Sequence, residues 1–307
     1  MPYGTFSPRG RIPTCAVAGL LTIAILGCGL TGKQKLALTA FSRSTVTLGE
    51  ATSTEMKAFR TDGLEANAQV LLLKGETDTP GLPRLTSLDR GYELARVQPV
   101  IRAGEALAAY GKTLAALTSS TQADTLKRAS TDFLQSLGQL SDTQAPGLAQ
   151  LDAFGTAVQD ISGWWIEPRR RQALVLLVDR FGPAMDKLCD RLAQDFAAGP
   201  TRAKGWVYLQ LQLAVERLEA AAFDHFSAST TYPARKEALD AYRLAGVLRA
   251  HRDEACARIS TAATALKKAH SKLAGSLRDG ELSLQDLQEL AERTSDLKSA
   301  MDILLHH

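Results

Sequence analysis

The groups in this 307-residue chain that could do chemistry are a few imidazoles and thiols, and their spacing decides which reactions are open to them. The five histidines are His225, His251, His270, His306 and His307. Di-metal carboxylate bundles place a Glu-x-x-His pair on each of two helices, with further glutamates facing them. Here His251-x-x-Glu254 has the reverse order and occurs once. Asp224 and His225 are adjacent, so on a helix they do not share a face. His306 and His307 stand at the end of the chain. The pattern predicts no metal ligand, and it predicts solvated or capping histidines. No GxSxG elbow, phosphate-binding Gly-rich loop or GxGxxG is present, so no catalytic or cofactor-binding residue and no cofactor are expected. Serines and carboxylates are plentiful, yet nothing local pairs one with a base. An enzyme whose site assembles from distant helices would leave no such local trace.

The four cysteines divide into two pairs. Cys189 lies on the stripe Met185, Leu188, Leu192, Phe196, and Cys256 neighbours Ile259 and Ala263 at helical spacing. Both should face a core, where a free cysteine behaves as a small hydrophobe. In an oxidising compartment the two could bridge. A CxxC redox or zinc pair is absent. Cys15 and Cys28 begin and follow an apolar run, Cys15 to Gly27.

That run is preceded by Arg9 and Arg11, and no acidic residue occurs before Glu50. It is too short for the ~20 apolar residues of a membrane-spanning helix. A basic start, a short apolar stretch and a small residue at its end describe an export signal. Ile25-Leu26-Gly27-Cys28 resembles the lipobox of bacterial lipoproteins. The resemblance covers residues 1–28. It implies lipid transfer to the Cys28 thiol, cleavage before Cys28, and acylation of the new amino terminus, with palmitate as a usual acyl chain. Two or more chains give stable anchoring where one gives only marginal binding. Gly29 follows, instead of the aspartate that resembles an inner-membrane retention signal. The resemblance therefore implies a protein anchored on the periplasmic face, at the outer membrane. A secretory signal cut near Gly32 or Ala40, and an uncleaved anchor, are the alternatives. The expected division is a signal peptide over 1–27, lipidated cysteine and tether over 28–41, and a helical domain over 42–307.

Cleavage before Cys28 removes two of the 36 Lys and Arg and none of the 33 Asp and Glu, so the body is close to neutral. Nucleic-acid binding is then disfavoured, because it rests on clustered Lys and Arg neutralising phosphates. Aromatic residues are only 6% of the chain, and Ala and Leu dominate the apolar set, which favours closely packed helices over sheets.

Helical periodicity recurs throughout. The first helix is expected from about Ser42 to Leu73, followed by a Pro- and Gly-rich loop over 76–86. A second runs from about Leu88 to Leu117, with Val100, Ala103, Leu107, Tyr110, Leu114 and Leu117 at 3-4-3-4-3 spacing, a seam of coiled-coil type. Pro99 should bend or restart it. A third is expected from Ser119 to about Ser141, with Leu126, Phe133, Leu137 and Leu140 on one face. A long helical stretch follows from Pro146 to Ala198, with breaks near Pro168 and at Gly182-Pro183. Its segment Ala173–Val178 is apolar all round, as in a central helix. The next begins at Trp206, with Leu209 and Leu213, and ends near Ser227. Then comes a helix from Pro233 to Leu277, weakest at Gly246 and Gly275. The last begins at Ser283, with Leu284, Leu287, Leu290, Leu297, Met301 and Leu304 on its apolar face. Short connections between long helices make antiparallel neighbours. The expected fold is all-α: an elongated up-and-down helical bundle with long, coiled-coil-like antiparallel helices.

Trp164, Trp165, Arg169, Arg170 and Arg171 form the most unusual internal stretch. Paired indoles with three arginines suit contact with a membrane surface or an acidic partner. They equally suit a helix junction at Pro168 with solvated arginines. Ala109-Tyr110-Gly111-Lys112-Thr113-Leu114-Ala115-Ala116-Leu117 is similar to a phrase in uncharacterised helical lipoproteins of bacterial envelopes, and that resemblance implies no activity. The function expected is a structural or partner-binding role at the cell envelope, through the lipid anchor and a protein partner. An envelope enzyme with a dispersed site, or a membrane-active helical protein, is the alternative. The oligomeric state is left open.

Overall fold

A computed structural model describes residues 30, 32–75, 77–79, 82–83, 88–119, 128–129, 131–133, 135, 167–199 and 204–279. Five long helices carry the fold: α1 (Gly32–Leu73), α2 (Leu94–Ser119), α3 (Glu167–Asp195), α4 (Trp206–Ala228) and α5 (Tyr232–Asp279). The architecture is an all-α bundle of long helices, as the periodicity predicts. The Cys15–Cys28 segment, Trp164, Trp165 and the helix expected from Ser283 lie outside the described residues. So do Leu126, Leu137 and Leu140 of the third expected helix; Phe133 is helical and fully buried.

The helix α1 begins ten residues before the expected Ser42. Leu38 and Phe41 are fully buried on it, so 32–41 belongs to the bundle and is not a tether. It ends where Gly75 adopts φ 68, with its N–H donating to the Leu72 carbonyl at 3.0 Å. A glycine can take this left-handed conformation without a Cβ penalty. Beyond it, Thr77–Thr79 pairs antiparallel with Leu82–Pro83. This small ladder lies within the stretch expected to be a loop and leaves the fold all-α. A second left-handed glycine, Gly91 (φ 85), closes the turn that leads into α2, where Tyr92 N–H donates to the Asp89 carbonyl.

Neither internal proline breaks its helix. Pro99 lies inside α2 and Pro183 inside α3. Both prolines are exposed, so the carbonyl that each deprives of a partner lies towards solvent. Val97, Val100 and Ile101 on α2, and Phe181, Ala184 and Met185 on α3, are buried on either side and hold the helix through the defect. The six residues of the predicted α2 seam are all buried. In Ala173–Val178, however, Leu176 is 40% exposed, so that face is not fully enclosed. On α4 the buried face is Val207, Leu211, Ala214, Val215 and Leu218, and Leu213 points outwards.

Antiparallel α1 and α2 meet backbone to backbone. A Cβ on Gly49 would lie 2.5 Å from the Gly104 carbonyl oxygen and closer still to the Ala108 nitrogen. One on Gly111 would lie 2.8 Å from the Ser42 carbonyl oxygen. Small buried Ser42, Thr45, Thr52, Ser53 and Thr113 flank this contact. Ser42, Thr45 and Thr113 return their hydroxyls to the carbonyl four residues back, whereas the buried Thr52 and Ser53 hydroxyls have no hydrogen-bond partner among the described residues.

The helix α5 is the spine. Its C-terminal half pairs with α3, through Lys267–Asp190 (2.5 Å) and Ser260 donating to the Ala193 carbonyl. Its N-terminal half pairs with α4, through Tyr208 donating to Asp253 (2.8 Å) and the Arg249–Glu219 ion pair. Both α3 and α4 therefore run opposite to α5, one after the other, and the connection between them does not reverse direction. It is pinned where it leaves and returns: Ala198 bridges Lys204, and Gly205 N–H donates to the Ala197 carbonyl at 2.8 Å. Along its other side α5 lies antiparallel to α1, with His270 beside Phe41 and His251 beside Phe59. No described helix is long and apolar enough to cross a membrane.

Candidate functional site

Glu55, Phe59 and Asp62 recur at i, i+4 and i+7 on α1, so they share one face. His251 of α5 lies over that face. Its ring packs on Phe59 with centroids 5.1 Å apart. Its Nδ1 lies 3.0 Å from an Asp62 carboxylate oxygen and its Nε2 lies 2.9 Å from one of Glu55. A carboxylate oxygen only accepts, so each ring nitrogen donates and the ring is an imidazolium. The hydrogen bonds to Asp62 and then Glu55 push its pKa up to about 10. The carboxylates approach opposite edges of one ring, so these groups do not converge on a point. Among the described residues no cluster of three or more His, Cys, Asp or Glu could hold a metal ion.

Beside this clamp lies an open cleft of about 560 Å³ whose apolar lining includes Leu244, Val247 and Leu248. Glu254 and Arg258 sit on it as a mutual ion pair. At neutral pH the His251 ring has no lone pair to accept a proton, and its positive charge compensates the carboxylates. The chemistry available is electrostatic attachment of α1 to α5, not proton abstraction.

His270 is the opposite case. It is 3% exposed, and its Nε2 is 2.8 Å from the Tyr110 hydroxyl. Burial pushes its pKa down to about 4, so the ring is neutral at pH 7. Asp186 lies 3.9 Å from Nδ1, beyond hydrogen-bonding distance. Burial raises the Asp186 carboxyl above the ordinary range. The carboxylate and the phenol flank the imidazole on its two nitrogens, but Tyr110 is fully buried and out of reach of a substrate.

These two histidines correct the expectation of solvated or capping imidazoles. His225 stands in the last turn of α4, where its carbonyl accepts from Ser229 N–H and Oγ. His306 and His307 lie outside the described residues. The partners of His251 come from 189 and 196 positions away in the chain. The one local signal was the Glu55, Phe59, Asp62 spacing.

Cys189 and Cys256 are both buried and free, which corrects the expectation that they could bridge. In the register that joins Asp190 to Lys267, Cys189 is abreast of the segment near Lys267. Cys256 lies eleven residues away along α5, roughly 16 Å at the helical rise, against the ~7 Å that a disulfide spans between Cα atoms. Burial pushes both thiols up to about 12, so neither is a ready nucleophile. Arg169, Arg170 and Arg171 fall in the first turns of α3, and Arg171 is half-buried.

Several large exposed apolar groups lie where α4 turns into α5, while Leu36 (73%) and Leu94 (57%) are exposed on α1 and α2. Phe223 is 69% exposed, Tyr232 79%, Tyr242 55% and Val247 65%, with Phe226 and Leu239 beside them. The pairing within this hairpin is made by Ala221, Ala222, Ala238, Ala241 and Ala245, all buried. Small residues thus face inwards and large ones outwards, the reverse of a self-contained core. Arg235 covers one face of Phe226, 5.4 Å from the ring centre. No protein-family model, curated protein or solved structure matches this chain.

Proposed function

We propose that this chain is a lipid-anchored periplasmic protein of the cell envelope, whose helical bundle carries a partner-binding surface away from the membrane. Support for the anchor is the Ile25-Leu26-Gly27-Cys28 box. Cys28 precedes α1 by only four residues, so a lipid there would hold the bundle by the end at which α1 starts and α5 finishes. The α4–α5 turn is at the other end of α5, about 72 Å away for 48 residues at 1.5 Å each. The observation that carries the binding role is the exposed apolar group at that turn.

Its chemistry indicates the partner. Along α5, Tyr232, Leu239, Tyr242, Gly246 and Ala250 follow one another at helical spacing and are all exposed. Lys236, Asp240 and Arg243 flank them with both signs of charge, tied in mutual ion pairs. A near-neutral apolar stripe of this kind suits an amphipathic helix of another envelope protein. Contact with a membrane or partner through Trp164, Trp165 and Arg169–Arg171 belongs to the same reading as a second surface. An enzyme reading would use the Glu55–His251–Asp62 cleft. It ranks second because the ring there is fully protonated.

Photo-crosslinking residues placed at Phe223 and Tyr242 in living cells test the binding role. Discrete crosslinked products are expected from both positions and none from Lys57, an exposed α1 position. Leu239→Glu should abolish the products by putting a charge into the contact. Equal products from Lys57 and Tyr242, or products indifferent to Leu239→Glu, would contradict the reading.

A further inference from the structure

A second cleft, of about 430 Å³, opens where α2, α3 and the start of α4 meet. That volume lies within the range of small-ligand sites, ~300–1,000 Å³. Its floor is apolar, from Pro99, Val100 and Leu192, and the Trp206 indole forms one wall. Two guanidinium groups, Arg96 and Arg191, line it from α2 and α3.

The polar corner is held in place from within. Asp195 has a side chain only 6% exposed. It accepts from Arg191 Nε at 2.6 Å and also from Trp206. The carboxylate therefore fixes both the guanidinium and the indole. Nε is the only Arg191 donor with a partner among the described residues, and the side chain is 51% exposed. Among the described residues the Arg96 side chain is tied only by a loose 3.6 Å ion pair to Glu93, and it is 62% exposed. Arginine donors aimed at an open, apolar-floored cleft suit a carboxylate, which the planar fork binds through two parallel hydrogen bonds.

We propose that this cleft binds a small monocarboxylate with an apolar body, its head on Arg96 and Arg191 and its body on Val100, Leu192 and Trp206. The charge count selects the class. Among the described lining residues two arginines face one carboxylate, a single positive charge that matches a monoanion, and Glu93, outside the lining, approaches Arg96 only at 3.6 Å. A dianionic phosphate would be repelled by Asp195 and would leave the apolar floor uncovered. An aromatic acid or a medium-chain acyl acid meets both requirements. The inference is independent of the lipid anchor and of the α4–α5 surface.

Calorimetric titration of the full chain in a non-ionic detergent provides the test, with octanoate, 3-phenylpropionate, 1-octanol and inorganic phosphate as probes. Saturable binding of one or both carboxylates is expected, with octanol and phosphate much weaker. Arg96→Gln should weaken the carboxylates about tenfold, the size expected for losing a charge-assisted contact. Arg96→Lys should restore part of the loss. Arg96 has no buried partner among the described residues, so these variants should keep the fold, which a thermal melt will verify. Arg191→Lys, which keeps the charge beside Asp195 but loses the fork, should weaken binding as well. No saturation by either carboxylate, phosphate binding as tightly as both, or affinity unchanged in Arg96→Gln would each overturn the proposal.

Discussion

Gly49→Ala should destabilise the protein by about 3 kcal/mol, at the upper end of the usual cost of overpacking a tight interface. In an isolated helix the same change stabilises by up to ~1 kcal/mol, because glycine is the poorer helix former. The sign reverses because an added methyl at Gly49 meets main-chain atoms of α2, the Ala108 nitrogen and the Gly104 oxygen. Backbone cannot rotate out of the way as a side chain can, so α1 and α2 would have to separate. For a domain of this size the loss corresponds to a fall in Tm of roughly 6–12 °C. Gly246→Ala is the matched control. It lies within α5 and an added Cβ there meets nothing within 4 Å. It should stabilise by ~0.5–1 kcal/mol. Thermal melts followed by circular dichroism will read both. A neutral or stabilising Gly49→Ala would mean that α1 and α2 do not touch at this seam.

The second large effect is on pH dependence, where the two histidines act on opposite sides of neutrality. His270 is held neutral by burial, with its pKa lowered to about 4 in the folded protein. As pH falls below the unfolded value of ~6.5, the unfolded chain takes up a proton that the folded one refuses. Stability is therefore lost between about pH 6.5 and 4, by roughly 3 kcal/mol in all. His251 is raised to about 10. Its contribution is complete below ~6.5 and disappears as pH rises from there through about 10. Its side chain is 37% exposed, so solvent screening reduces that contribution to about 1–2 kcal/mol. Urea unfolding across pH 4–10 should show a maximum near pH 6.5–7. Asp186, whose carboxyl is raised by burial, also titrates on the acid side, so the comparison with His270→Gln isolates the histidine. That variant should flatten the acid limb, and His251→Gln the alkaline limb. A wild-type acid limb unchanged by His270→Gln would mean that this ring is not held neutral in the fold.

Much of the helical architecture could be read one segment at a time. The helix expected from Pro233 matches the start of α5 to within a residue, and the 3-4 seam of α2 names its buried face. Where the fold departs from the local pattern, tertiary packing overrides local chemistry. Pro99 is expected to bend or restart its helix and Gly182-Pro183 to break one, but each proline sits on the solvent side of a continuous helix with buried residues around it. Residues 32–41 looked like a tether because Cys28 drew the boundary, although Leu38 and Phe41 already stood at core spacing. The close approach at Gly49, Gly104 and Gly111 needs both helices to be seen together. The same is true of the clamp, since Glu55 and Asp62 have no meaning until α5 brings His251 across them. The α4–α5 surface was hidden for another reason. Its hairpin is held by alanines, and periodicity alone does not say which of two faces, one small and one large, points inwards.

Incorporation of labelled palmitate tests most directly the proposed attachment of the bundle to a membrane through Cys28. The wild-type protein should take up the label, lose residues 1–27 and fractionate with membranes. Cys28→Ala should remain unlabelled and unprocessed, because no other group at that position can accept the diacylglyceryl unit. Cys15→Ala should behave as wild type. Label persisting in Cys28→Ala, or absent from the wild type, would contradict the account.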